Sequence, residues 1–146
     1  VNDTATFAAI ARVIQLATAP VFLLTGIGAL INVLNSRLGR SIDRGRLVAR
    51  RIQDAGAAVD AQTRAELETL SKRVKLIYRA IASATISALL VCVIIAALFI
   101  SAFEPYPVGS VVVVLFVVAM LALIAALLLF LREVFFATRA LRIGPH

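Results

Sequence analysis

Three stretches of the chain, 13–34, 80–103 and 111–131, carry no charged residue. Each is close to the roughly 20 residues that an α-helix needs to cross a hydrocarbon core. They predict three transmembrane spans. Between the first two, residues 35–79 are polar but not shapeless. NSRLGRSIDRGRLVARRIQD and LETLSKRVKLIYRAI both have helical spacing of their apolar positions. AGAAVDAQT separates them and places a break near Gly56, and Thr63-Arg64-Ala65-Glu66 fits a capping box. No breaker parts either arm from its span, since Gly39 and Gly45 are isolated and cost a helix only about 1 kcal/mol each.

Steps of three and four along the second arm give Leu67, Leu70, Val74, Ile77, Ile81, Ala84, Ala88, Val91, Ile95, Leu98 and Ala102. Every position is apolar, from the polar arm to the far end of the span. The matching walk in the first arm gives Ile14, Ala17, Val21, Leu24, Gly28, Ile31, Asn35, Leu38, Ile42, Gly45, Ala49 and Ile52. A seam that keeps its register through water and lipid predicts one continuous antiparallel coiled coil. Folding at Gly56 would pair Ile52 with Leu67, Ala49 with Leu70, Gly45 with Val74 and Leu38 with Ile81. Small residues would then face large ones and let the helices approach closely.

The third span, VVVVLFVVAMLALIAALLLFL, has no polar side chain and is expected to pack outermost, against lipid. Its tail, residues 132–146, can continue as an amphipathic helix, with Phe135 and Phe136 at the interface and Arg132, Arg139 and Arg142 near headgroups. Gly144-Pro145 would end it. The turn FEPYPVGS is short and proline-stiffened, with Tyr106 at interface depth. The first stretch lacks a basic leading segment and runs on past Ala17-Thr18-Ala19, so it reads as a retained span, not a cleaved signal peptide.

Composition agrees with this picture. The chain has 146 residues, 62% of them hydrophobic, and a mean hydropathy of +1.00, more than a small soluble domain can hide. The net charge of +7 could point to nucleic acid. Its distribution argues otherwise: residues 35–79 hold eleven Arg or Lys against five acids, and the tail holds three against one. The 104–110 turn has only Glu104. This is the positive-inside pattern, with the hairpin and C-terminus cytoplasmic and the N-terminus outside. No aromatic residues interleave the arginines to stack bases, so no nucleic-acid partner is expected.

Little here suggests catalysis. The one cysteine, Cys92, falls in a span where packing explains it, and the one histidine is His146. No paired carboxylate, nucleophile–base set or metal cluster lies at membrane depth, so the chain is expected not to be an enzyme and to need no cofactor or metal. No Asp, Glu, Lys, Arg or His lies within a span, which counts against proton-coupled or ion-coupled transport.

Two features remain. Gln15, Thr18, Thr25, Asn32 and Ser36 fall on one row of the first span, with Phe22 and Ala29 between them. They would line a pore in an assembly, or bond across helices and back to their own backbone. In the same span Pro20 would kink the helix or hinge it, and Gly26 and Gly28 suit close helix approach. The second feature is the row Arg37, Arg40, Arg44 and Arg51, which would attract anionic lipid headgroups or an acidic partner, or simply set topology and solvation.

The run APVFLLTGIGALINVLNSRLGRSIDRGR, followed by LSKRVKLIYRAI, resembles a family of bacterial three-span inner-membrane proteins labelled only as a domain of unknown function, number 2721. Pro20, Asn35-Ser36-Arg37, Asp43-Arg44 and Lys72-Arg73 carry the resemblance, which covers nearly the whole chain. It implies a bacterial membrane protein and no particular activity.

The expected fold is therefore an all-α membrane protein of one domain. Three transmembrane helices are expected, the first two extended into a cytoplasmic antiparallel coiled-coil hairpin at 35–79. The expected role is non-enzymatic, in the bacterial inner membrane. The chain would act by assembly, as a homo-oligomer or an accessory subunit of a larger complex, because Leu47, Val48, Val59 and Leu76 leave more apolar edge than one partner needs. The alternative is a homo-oligomeric channel lined by the polar row.

Overall fold

The structure, a computed structural model, describes residues 2–103 and 107–141. Its regular elements there are all helical: α1 (Asn2–Ala55), α2 (Ala61–Ser101) and α3 (Gly109–Leu141), with a 3-10 turn at Gly56–Ala58. All three helices are long and apolar enough to cross a membrane, as a multi-pass membrane protein requires. Neither Pro20, Gly39 nor Gly45 interrupts α1, so both polar arms continue their apolar spans as single helices. The tail to Leu141 likewise extends α3. Glu104, Tyr106, Arg142, Gly144, Pro145 and His146 lie outside the described residues.

The turn between α1 and α2 falls where expected. Gly56 has φ +56°, a left-handed conformation that closes a helix C-terminus and that a β-carbon would penalise. The start of α2 differs from expectation. The Asp60 carbonyl accepts the backbone N–H groups of Thr63 at 3.1 Å and Arg64 at 3.3 Å, so the helix begins before Thr63. Thr63 therefore cannot cap it, and the Glu66 carboxylate binds Arg44 instead of reaching back to the backbone.

The chain divides into two compact units, Val1–Ile31 with Ser83–Ile124 and Asn32–Ala82 with Ala125–His146. The first is apolar over most of its interior and its surface. Val13, Ala17, Ile27, Val91 and Ile94 are buried, yet Phe22, Leu89, Val113 and Leu121 are largely exposed. Helices apolar all round suit lipid, not water. Here Ser83 donates to the Ala122 carbonyl at 2.6 Å and Ser87 to the Ala119 carbonyl at 2.7 Å, which joins α2 to α3 in antiparallel register. The second unit buries Leu34, Ser41 and Val48 of α1, Leu70, Ile77 and Ala80 of α2, and Ala126 and Glu133 of α3.

Burial recurs every seven residues along all three helices. On α2 the expected row is wholly buried or half-buried from Leu67 to Ala102. A second row, Arg73, Ala80, Ser87 and Ile94, is also covered. On α1 the buried row differs from expectation at alternate steps. Val13, Pro20, Ile27, Leu34, Ser41 and Val48 are buried, where Ile14, Val21, Gly28, Asn35 and Ala49 are exposed and Ile42 is half-buried. The physical reason is that α1 answers to α3 as well as to α2, since Arg37 reaches Glu133. The face it turns inward also carries Ile27, Leu34 and Val48, which bury more apolar surface than Gly28, Asn35 and Ala49.

Three further expectations change. Val48 is buried, and Val59 and Leu76 are half-buried, so of the supposed spare edge only Leu47 stays well exposed. Cys92 is exposed rather than packed. A β-carbon placed at Gly26, Gly28, Gly39 or Gly45 would meet nothing within 4 Å, so these glycines do not bring helices of this chain together. As expected, α3 is the least buried span: 11% of its most apolar stretch is buried, against 17% and 22% for α1 and α2.

Candidate functional site: a buried carboxylate, a cationic cleft and an exposed polar row

The apolar run of α3 ends at Leu131, and Glu133 follows one residue after Arg132. It continues the seven-residue row of Ala119 and Ala126, so the helix carries it inward and its side chain is fully buried. A carboxylate at 0% exposure is strongly unfavourable unless it is paired and hydrogen-bonded. Two guanidiniums meet it. Arg37 of α1 donates from one terminal nitrogen to Oε2 at 2.7 Å. Arg73 of α2 donates to Oε1 from Nε at 3.2 Å and from a terminal nitrogen at 2.8 Å. Arg37 also lies over the Phe130 ring, 5.1 Å from its centroid, a cation–π contact that holds the guanidinium in place. One residue from each helix thus forms a single knot in the second unit, and its charge-assisted bonds are of the strong kind.

Beside the knot lies a cleft of about 240 Å³ lined by Arg37, Arg40, Ser41, Arg44, Leu70 and Arg73. Arg44 is held by Glu66, with contacts of 2.8 and 2.9 Å. Farther along α2, Lys72 pairs with Glu68 one turn away at 3.0 Å, an exposed pair of small energetic weight.

The expected row on the first span is intact and faces away from the rest of its own chain. Gln15, Thr18, Thr25, Asn32 and Ser36 are all exposed, as are Phe22, Gly26, Gly28 and Ala29. Thr18, Thr25 and Ser36 donate to the carbonyls of Ile14, Val21 and Asn32, four residues back on the same helix. The Gln15 and Asn32 amides have no hydrogen-bond partner among the described residues. Pro20 is buried within the helix.

Of the arginines singled out from sequence, Arg37, Arg40 and Arg44 gather at the cleft. Arg51 is exposed and lies apart from it. On α3, Arg132 and Arg139 line an open recess of about 330 Å³ with Phe135 and Phe136, the mixture of aromatic and cationic groups that an interfacial helix presents. Sequence reasoning missed Glu133 as a partner and Arg73 as a site residue. The available signal was the lone acid two residues past the end of a long uncharged run, in register with two alanines seven and fourteen residues earlier. Among the described residues no group of acids, cysteines or histidines is placed to hold a metal ion.

No curated protein and no solved structure matches the chain. Residues 17–143, which take in the knot, the cleft and most of the polar row, match the family described as "Protein of unknown function (DUF2721)", and the chain belongs to that family.

Proposed function

We propose that the protein is a non-enzymatic component of the bacterial inner membrane that works by assembling with further copies of itself through the polar face of α1. The observation that carries this reading is that face itself. Every polar side chain of the first span is exposed on the face opposite the buried row of α1, and a β-carbon at Gly26 or Gly28 would meet nothing within 4 Å. Amides such as those of Gln15 and Asn32 are costly to leave against lipid and characteristically bond across helices. Glycines with open space beside them admit a second backbone at close range. Lipid satisfies neither feature, whereas a second α1 satisfies both. The seven-residue recurrence of burial supports reading 35–79 as an antiparallel coiled-coil hairpin, and its basic charge supports a cytoplasmic placement.

The test is disulfide trapping in native membranes. In a Cys92→Ala background, Thr25→Cys and Asn32→Cys should each form covalent dimers on mild oxidation, and Val117→Cys on the exposed side of α3 should not. A clean monomer on native gels, with no trapping at Thr25 or Asn32, overturns self-assembly. Trapping to a different protein instead makes the chain an accessory subunit of a larger complex. The same exposed face supports a second reading, a channel with this row around a wet axis. Labelling of Thr25→Cys by a water-soluble maleimide favours the pore; protection favours dry packing.

A further inference from the structure

We propose that the cleft between the arms of α1 and α2 in the second unit is a binding site for a phosphate group. The proposal stands independently of self-assembly and concerns another part of the chain. The cleft is lined by four guanidiniums, those of Arg37, Arg40, Arg44 and Arg73, with Ser41 among them. Two carboxylates engage this set: Glu133 holds Arg37 and Arg73, and Glu66 holds Arg44. Four positive charges against two negative ones leave an excess of two. Arg40 forms no ion pair and no hydrogen bond among the described residues.

Ser41 is the second observation, and it points into the same space. It is only 5% exposed, lines the cleft, and its hydroxyl has no hydrogen-bond partner among the described residues. The contrast with its neighbours is informative. Thr18, Thr25, Ser36 and Thr69 all return their hydroxyls to a carbonyl four residues earlier. Ser41, the most buried of these residues, does not. Among the described residues no fully buried side-chain nitrogen or oxygen lacks a partner, so the Ser41 hydroxyl is not sealed off: its small exposure leaves it free to bond a group seated in the cleft.

The chemistry narrows the ligand. Guanidinium groups carry donors only, and a serine hydroxyl can add another. A wall of donors with excess positive charge selects an anion rich in acceptor oxygens, and arginine forks match phosphate geometry well. A volume of about 240 Å³ equals that of roughly eight liquid waters, enough for a phosphate and part of the group that it esterifies. Arg37, Arg40 and Arg44 follow the first apolar run by three, six and ten residues, and Arg73 precedes the second by seven. At 1.5 Å per residue that is roughly 5–15 Å past the hydrocarbon edge, the depth at which lipid phosphates lie. A lipid headgroup and a soluble phosphate share this chemistry.

The experiment uses the full chain purified in a neutral detergent and phosphate-free buffer. One arm titrates inorganic phosphate by calorimetry. The other measures, by native mass spectrometry, retention of phosphatidylglycerol against phosphatidylcholine. Arg40→Gln should weaken binding about tenfold, and Ser41→Ala by about threefold, with helicity unchanged. Arg51→Gln, outside the cleft, should change it less than about twofold, as an exposed charge does. Binding of phosphatidylglycerol alone identifies a lipid headgroup as the ligand, and binding of inorganic phosphate as well identifies a site open to soluble phosphates. The proposal is overturned if Arg40→Gln matches the parent protein in both arms, or if Arg51→Gln weakens binding as much, which would reduce the effect to diffuse charge. It is also overturned if polyglutamate binds as tightly with the same dependence on Arg40, since the cleft would then be a carboxylate site.

Discussion

Glu133 concentrates the problem of placing one charge among apolar helices. Its carboxylate is fully buried, while its two partners keep some contact with solvent, Arg37 at 30% and Arg73 at 25% side-chain exposure. Removing one member of a buried ion set leaves the remaining charges facing each other without compensation, and fully buried cases lose about 3–5 kcal/mol. The half-exposed arginines soften that penalty. Glu133→Gln keeps the shape and deletes the charge, so it should lower stability by about 1–3 kcal/mol, read as a lower unfolding midpoint in detergent. Arg139→Gln should leave the midpoint where it was. Equal midpoints for Glu133→Gln and the parent protein would show that the knot is dispensable. The carboxylate was hard to read from sequence because its partners lie 96 and 60 residues away. A charge beyond the end of a span looks solvated until something is known to face it. The arginines at 37, 40 and 44 were legible because they share one helix face, whereas Arg73 joins them only through the fold.

The helices differ in how much of their packing could be read in advance. Helix α2 has covered rows on two faces, and the row from Leu67 to Ala102 is apolar at every step, so its pattern was unambiguous. Helix α1 offered two rows one residue apart, and the choice between them depends on α3, whose own pattern is apolar throughout and gives no phase. The same limit hid the serines of α2. Ser87 is fully buried and its hydroxyl donates to the Ala119 carbonyl at 2.7 Å, a contact that an unpatterned partner helix cannot announce. Bonds of this kind in membrane proteins contribute about 0.6 kcal/mol on average. Ser87→Ala should therefore cost little, under about 1 kcal/mol. Ser87→Leu must find volume where α2 and α3 are already in contact, and overpacking costs about 1–3 kcal/mol. Unfolding midpoints of the two variants, measured side by side, should fall in that order. A larger loss for the alanine would mean that the hydrogen bond matters more than the close approach it accompanies.

Charge divides the molecule as clearly as packing does. The first unit has only Asp3 and Arg12 among its described charged residues, whereas the second carries every arginine of the cleft and of the knot. Basic segments are retained on the cytoplasmic side during insertion, and the rule counts Lys and Arg in short loops near span ends. Residues 35–79 meet that condition with eleven such residues, while Pro107 to Ser110 on the approach to α3 contain none. The expected topology places the Gly56 turn inside the cell and the start of α3 outside. In a Cys92→Ala background, Ser110→Cys should react with a membrane-impermeant maleimide added to intact spheroplasts. Asp60→Cys should react only after permeabilisation. Cys92 is the one native cysteine, so its removal leaves each introduced thiol as the sole target. The reverse labelling pattern would place the arginine cleft on the outer surface. A cytosolic phosphate could then not reach it, and the outer leaflet would be its only lipid source. The orientation thus decides which phosphates the cleft can meet, so this labelling and the Arg40 titration constrain each other.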